Sequence, residues 1–177
     1  MEHNKVFDNI FKYLLKVEGG YSDDKYDTGG KTKYGITEVE ARKYGYTGHM
    51  RDLTLDIAED IYFHKYFKKN RLDEINNSKI ALSICDWTVN SGNYGLTKAQ
   101  LTLNELGFNL EVDGKFGNKT IQALNEVDVD KFLNIYHNKQ RQFYQNIVRN
   151  RPNQKVFLKG WLNRVDRKEN YIENMEV

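Results

Sequence analysis

Val17-Glu18-Gly19-Gly20-Tyr21 and, after five further residues, Asp27-Thr28-Gly29-Gly30-Lys31-Thr32-Lys33-Tyr34-Gly35-Ile36 place two carboxyl groups around one glycine-rich turn region. Glu18 closes an apolar-periodic run, Val6, Ile10, Tyr13, Leu14 and Val17, and Gly19-Gly20 predict that the helix stops just after it. A carboxyl at a helix C-terminus meets partial negative charge and apolar side chains, and both favour its neutral, proton-donating form. Asp27 sits in a polar setting with Thr28, Lys31 and Thr32, which favours the ionised form. Two carboxyls whose surroundings separate their pKa values suit the acid and base of glycoside cleavage. The plainer alternative is a helix end carrying an exposed acid. Tyr21, Tyr26 and Tyr34 add flat faces on which sugar rings could stack.

Working outward, the rest of the chain reads as helices. Thr37 and Glu40 form a capping-box pattern for a short helix ending near Gly45, and Thr54 can cap a second through Phe67. Ser78 is the expected cap of a third, which carries Ala81, Leu82, Cys85, Trp87 and Val89 and forms the spine of the core. Leu96, Ala99, Leu103 and Leu106 repeat at helical spacing up to Gly107; Asp113-Gly114 makes a turn and Asn118 caps the next helix. Two long helices, from about 129 to 150 and 157 to 172, flank Pro152 as a helical hairpin. Only the segment from Tyr21 to Ile36 is suited to a small β-hairpin, so the expected fold is mainly α, a helical bundle with one small β element beside the two carboxyls.

Length and composition fit one substantial core: 177 residues, 39% hydrophobic and 13% aromatic, with one proline and no Ser/Gly/Pro tract to act as a linker. The net charge of +2 divides unevenly. Residues 1–92 hold 14 Lys/Arg against 15 Asp/Glu, and residues 93–177 hold 13 against 10. A cationic C-terminal half favours an anionic polymer such as peptidoglycan with its wall acids, or a nucleic acid, unless it is an ordinary solvated surface. Cys85 stands alone in an apolar stretch and reads as a core residue. The four histidines show no metal-ligand spacing, and neither metal nor cofactor is expected. Gly30-Lys31-Thr32 imitates the end of a phosphate-binding loop, but Lys25 stands where that motif needs its first glycine. The N-terminus lacks a signal-peptide core and no stretch could span a membrane, so synthesis in the cytoplasm without membrane insertion is expected. Asn90, just before Gly92, can donate to and accept from an N-acetyl group, or it caps its helix; Trp87 reads as core ahead of sugar platform.

Glu18-Gly19-Gly20-Tyr21, Asp27, Gly29-Gly30, Thr32 and Tyr34-Gly35-Ile36-Thr37 together resemble the signature of glycoside hydrolase family 108, the phage endolysin and secretion-activator type of N-acetylmuramidase. Ala58 to Tyr66 resembles that family's Ala-x-x-Ile-Tyr helix, and Asp86 to Gly92 its Asp-x-x-x-Asn-x-Gly motif. Val112 to Thr120 resembles the Asp-Gly-x-x-Gly-x-x-Thr turn of peptidoglycan-binding helical modules, and Gly160 to Arg164 the family's closing Gly-Trp-x-x-Arg. The resemblance implies a lysozyme-like fold, with a catalytic region over 1–92 and a peptidoglycan-binding-like helical region over 93–177, packed as one compact unit. It implies hydrolysis of the β-1,4 bond between N-acetylmuramic acid and N-acetylglucosamine. Glu18 would be the catalytic acid, Asp27 would stabilise the oxocarbenium-like centre or position water, and Thr32 would assist. Phage-type lysozymes carry their Thr six residues after the Asp; here that place is held by Lys33, with Thr32 one earlier. Tyr21, Tyr34, Asp86, Asn90 and Asp113 are the expected substrate contacts. The implied partner is the peptidoglycan glycan strand rather than nucleic acid. The implied agent is a monomer that reaches the bacterial wall through a holin or a dedicated export route and causes bacteriolysis. Two other readings use the same residues: a lytic transglycosylase acting through Glu18, and a non-catalytic wall-binding module.

Overall fold

Phe7, Ile10, Phe11 and Leu14 recur at i, i+3, i+4 and i+7 and are all buried, which makes Lys5–Glu18 an amphipathic helix, α1. The buried seam is rotated from the expected one. Tyr13 and Leu14 are inside as anticipated, but Val6 and Val17 are half-buried and two phenylalanines take their place. Larger rings win the seam because they remove more apolar surface from water. This computed structural model describes residues 5–18, 22–23 and 31–175, and of Glu18, Ser22 and Asp23 the backbone alone.

Three short strands follow: β1 (Ser22–Asp23), β2 (Lys31–Lys33) and β3 (Ile36–Thr37), antiparallel in the order β1-β2-β3. The helices after them are α2 (Glu38–Tyr44), α3 (Leu55–Tyr62), α4 (Ser78–Ser91), α5 (Asn93–Glu105), α6 (Asn118–Glu126), α7 (Val129–Asn150) and α8 (Lys155–Glu173). The expected mainly α fold with one small β element near the N-terminal third is thus found. The chain divides into two compact units, Met1–Lys69 and Asn70–Val177. The expected boundary at 92/93 lies between α4 and α5, within the second of these.

In the first unit the local signals act as written. Thr37 Oγ1 accepts from the Glu40 amide at 3.2 Å while Glu40 Oε2 accepts from the Thr37 amide at 3.3 Å, and left-handed Gly45 stops α2. Thr54 caps α3 by accepting from the Ile57 amide at 3.3 Å. Beyond Tyr62 the chain winds into a π-helical turn, Phe63–Lys68, instead of extending α3 as an α-helix to Phe67. That turn presents Phe63 and Phe67 to α1: both rings lie 5.1 Å from Phe7, and Tyr62 lies 6.0 Å from Phe11. The unit is therefore sealed by rings stacked on rings.

In the second unit α4 is buried on every side from Ile80 to Thr88, the mark of a central helix. It packs on α5 and α7, and α7 pairs with α8 around Pro152, which opens a 3-10 turn at Pro152–Gln154. The α4–α5 approach needs Gly95: a Cβ there would lie 2.6 Å from the amide and hydroxyl of Thr88. The Gly95 carbonyl in turn accepts from the Tyr136 hydroxyl at 2.8 Å. Cys85 and Trp87 are core residues, and burial beside Asp86 pushes the Cys85 thiol far up. Two expected caps are displaced by one residue. Asn77 rather than Ser78 caps α4, accepting from the Lys79 and Ile80 amides at 3.0 and 3.1 Å, and Gly117 precedes α6, whose first residue is Asn118. An Asn amide oxygen reaches two donors where a Ser hydroxyl one place later reaches none, so the chain starts the helix earlier.

Candidate functional site

Glu18 is the last residue of α1, and the aromatic seam of that helix fixes where it ends. Tyr21 and Asp27 lie outside the described residues, as does the side chain of Glu18. Thr32 is the middle residue of the central strand, in register with Ser22 on one side and Thr37 on the other, and is half-buried. One position later, Lys33 reaches the Arg51 carbonyl and lies 5.2 Å above the Tyr34 ring.

Tyr34 and Gly35 form the two-residue turn between β2 and β3, with φ of 53° and 76°. Positive φ at both central positions is the type I′ geometry that matches strand twist, and it is unusual for a tyrosine. The turn is held from below, because the Tyr34 carbonyl accepts from the Tyr62 hydroxyl at 2.7 Å. The Tyr62 hydroxyl below and the Lys33 ammonium above thus hold a residue of unfavourable φ in place.

Asp86 is placed differently from its expectation as a substrate contact. It has no accessible surface, and its carboxylate lies 2.9 Å from Arg164 Nη2 and 3.2 Å from Lys168 Nζ. Burial would raise its pKa, but the two cations hold it below the usual carboxylate range. Its role is to neutralise them, and a glycan cannot reach it. The Asp86 and Gly-Trp-x-x-Arg segments, 78 positions apart, meet in this cluster: Arg164 Nε donates to Asp86 at 3.0 Å. Burial lowers the Lys168 ammonium to about 8 even though Asp86 supports its charge.

The cluster continues as a polar chain. Lys168 donates to Gln140 at 2.6 Å, Gln140 to the Tyr144 hydroxyl at 3.0 Å, and Tyr144 to Asn90 Oδ1 at 2.5 Å. Asn90 is exposed at the end of α4, and its oxygen also accepts from Ser91 Oγ at 2.7 Å. Its oxygen is thus committed to protein. Lys168 counts in the sequence only toward the basic C-terminal surface, from which its burial removes it, and Gln140 and Tyr144 carry no sequence expectation; the signal available is that Lys168 falls one helical turn after Arg164, and Gln140 one turn before Tyr144.

Asp113 is exposed, yet its carboxylate is occupied. It accepts from the Lys115 amide at 2.9 Å and from Gln100 Nε2 at 3.2 Å, which lower its pKa in that order. Gln100 is the organiser of this turn. Its oxygen accepts from the amides of Asp113 and Gly114 at 3.1 and 2.8 Å, and its amide also donates to the Lys115 carbonyl and Thr120 Oγ1 at 3.0 and 3.3 Å. Among the described residues no group of three His, Cys, Asp or Glu side chains could hold a metal ion.

Residues 11–92 match the family model Glycosyl hydrolase 108, and residues 94–166 match the model named Predicted Peptidoglycan domain. The fold is similar to that in the "Structure of Brucella abortus SagA", with a TM-score of 0.76, 24% identity, and coverage of 94% of this chain and 92% of that one. No curated protein matches the chain. The class is accordingly a mainly α, lysozyme-like glycoside hydrolase directed at peptidoglycan, acting at the cell wall. Over residues 11–92 the chain is similar to the glycosyl hydrolase 108 family, and over 94–166 to a peptidoglycan domain of the predicted type. Among the described residues no helix is long and apolar enough to cross a membrane.

Proposed function

We propose that the protein is a muramidase that hydrolyses the β-1,4 bond between N-acetylmuramic acid and N-acetylglucosamine, with Glu18 as general acid. The observation that carries this reading is that α1 ends at Glu18, on a helix locked by rings, immediately before a sheet whose central strand holds Thr32. The free carbonyls at a helix C-terminus disfavour a charged carboxyl, so an acid placed there keeps a proton to give to the leaving glycosidic oxygen. Asp27 stabilises the oxocarbenium-like centre or orients water, and Thr32 assists. Tyr21 and Tyr34 offer ring faces to the glycan, and Asn90 offers its amide N–H₂. In this scheme residues 1–92 supply cleavage and residues 93–177 hold the wall polymer.

Reducing-end release from purified peptidoglycan by wild type and Glu18→Gln tests the reading, with circular dichroism confirming that both fold. A general acid contributes about 10²–10⁴-fold, so the variant should lose at least ~100-fold of the rate. Unchanged release by Glu18→Gln would remove the assignment. Mass spectrometry of the wild-type products should show a reducing sugar; an anhydro sugar would mean that the chain is a lytic transglycosylase instead.

A further inference from the structure

Within the second unit, the start of α5 and the end of α7 enclose a cleft of about 450 Å³ lined by Tyr94, Phe143, Asn146, Ile147, Asn150 and Arg151. That volume falls in the range of small-ligand clefts, about 300–1,000 Å³. Tyr94 is 57% exposed, unusual for a large ring, and it is not loose. Its ring lies 4.9 Å from Phe143, which is braced edge-on at 5.7 Å against the fully buried Trp87. The result is a rigid aromatic platform open to solvent.

The polar groups beside it are equally specific. Asn146 and Asn150 are one helical turn apart on α7 and so share a face. Arg151 follows as the residue that ends the helix, its amide bonded to the Ile147 carbonyl at 2.8 Å. None of these three side chains bonds to another described residue. An aromatic face accepts the C–H face of a pyranose, two carboxamides match the N–H and C=O of an N-acetyl group, and a guanidinium fork matches a carboxylate.

We propose that this cleft is a saccharide subsite that takes one N-acetylated, carboxylate-bearing sugar of the wall glycan with its ring on Tyr94. The proposal rests on the peptidoglycan-directed reading above and adds the place and chemistry of wall recognition in the second unit. A sugar with its own carboxylate satisfies all three elements at once, whereas an acidic peptide would use Arg151 and leave the platform bare.

The test is an NMR titration of the ¹⁵N-labelled full chain with a peptide-free tetrasaccharide of alternating N-acetylglucosamine and N-acetylmuramic acid, at 4 °C. Saturable shifts are expected at the amides of Tyr94, Phe143, Asn150 and Arg151. Tyr94→Ala should weaken binding about tenfold, Tyr94→Phe should bind as wild type, and Arg151→Gln should weaken it less, by roughly threefold. Chitotetraose, which lacks carboxylates, should bind wild type and Arg151→Gln equally. Absence of shifts at these amides, or unchanged affinity of a folded Tyr94→Ala, overturns the subsite; should that variant not fold, equal binding of the muramyl sugar by wild type and Arg151→Gln overturns it. Reducing-end release measured in parallel separates the two conclusions. Cleavage without shifts leaves the muramidase reading standing and removes the subsite; shifts without cleavage do the reverse.

Discussion

Both units of this chain are packed through aromatic rings, but they differ in where they keep their charges. In the first, α1 and the π-helical turn are joined by phenylalanine and tyrosine rings, and the ion pair that ties α2 to that turn, Glu40 with Lys65, stays part-exposed. In the second, an aspartate, a lysine and an arginine are buried together at the centre of α4, α7 and α8. A lost ring contact costs the transfer free energy of the ring and the cavity left behind, which neighbouring apolar groups can partly fill. A buried charge cluster is unforgiving, since removing one member leaves the others charged and dry.

The largest effect expected from that contrast follows Asp86→Asn. Lys168 and Arg164 would stay buried without their counter-charge, at a cost of about 3–5 kcal/mol. Hydrogen exchange should speed up in α4, α7 and α8 while amides of α1 keep their protection. Equal loosening of both units would show that the contrast is not one of stability.

A smaller, pH-dependent effect belongs to His137. It is buried, its Nε2 lies 2.7 Å from Ser83 Oγ, and burial together with Lys168 and Arg141 lowers its pKa to about 2. Glu169, 3.8 Å from Nδ1, is drawn off by its ion pair with Arg141. The folded state therefore binds fewer protons than the unfolded state from about pH 6.5 downwards, and stability falls with pH across that window by up to about 1.4 kcal/mol per unit. Urea midpoints between pH 7 and 5 measure it. His137→Gln, which cannot titrate, should flatten that slope, and an unchanged slope would assign it to other groups.

The smallest effect concerns the first unit. Tyr62→Phe removes the hydroxyl under the Tyr34 turn and should cost about 1 kcal/mol of stability. The larger response is expected in hydrolysis of peptidoglycan, because Tyr34 would lose its fixed direction while Glu18 is untouched. A variant with wild-type activity would make the turn a purely structural element.

What could be read from the sequence follows the range of the interactions. The capping box of Thr37 and Glu40, the stop at Gly45 and the cap at Thr54 were legible because each is completed within eight residues. The central position of α4 was legible from its apolar content. Asp86 was misread as a ligand contact because its partners stand 78 and 82 positions away, and no local signal distinguishes a carboxylate that meets a cation from one that meets a sugar. The displaced caps at Asn77 and Gly117 show a milder limit, where neighbouring polar residues compete and geometry decides by tenths of an ångström. Around the candidate site, the end of α1 at Glu18 and the small sheet were anticipated, but the π-helical turn that seats them was not. Its six residues, Phe63 to Lys68, are all aromatic or basic and look like an ordinary continuation of α3.

Gln100 serves five hydrogen bonds with one side chain, to Asp113, Gly114, Lys115 and Thr120, thirteen to twenty positions downstream of it. This makes the two segments a single heritable part. As the sequence drifts, position 100 cannot change alone without orphaning the turn, and the turn cannot be rewritten without idling Gln100. A graft of the Asp113 loop into another helical scaffold would therefore have to carry a glutamine on the preceding helix with it.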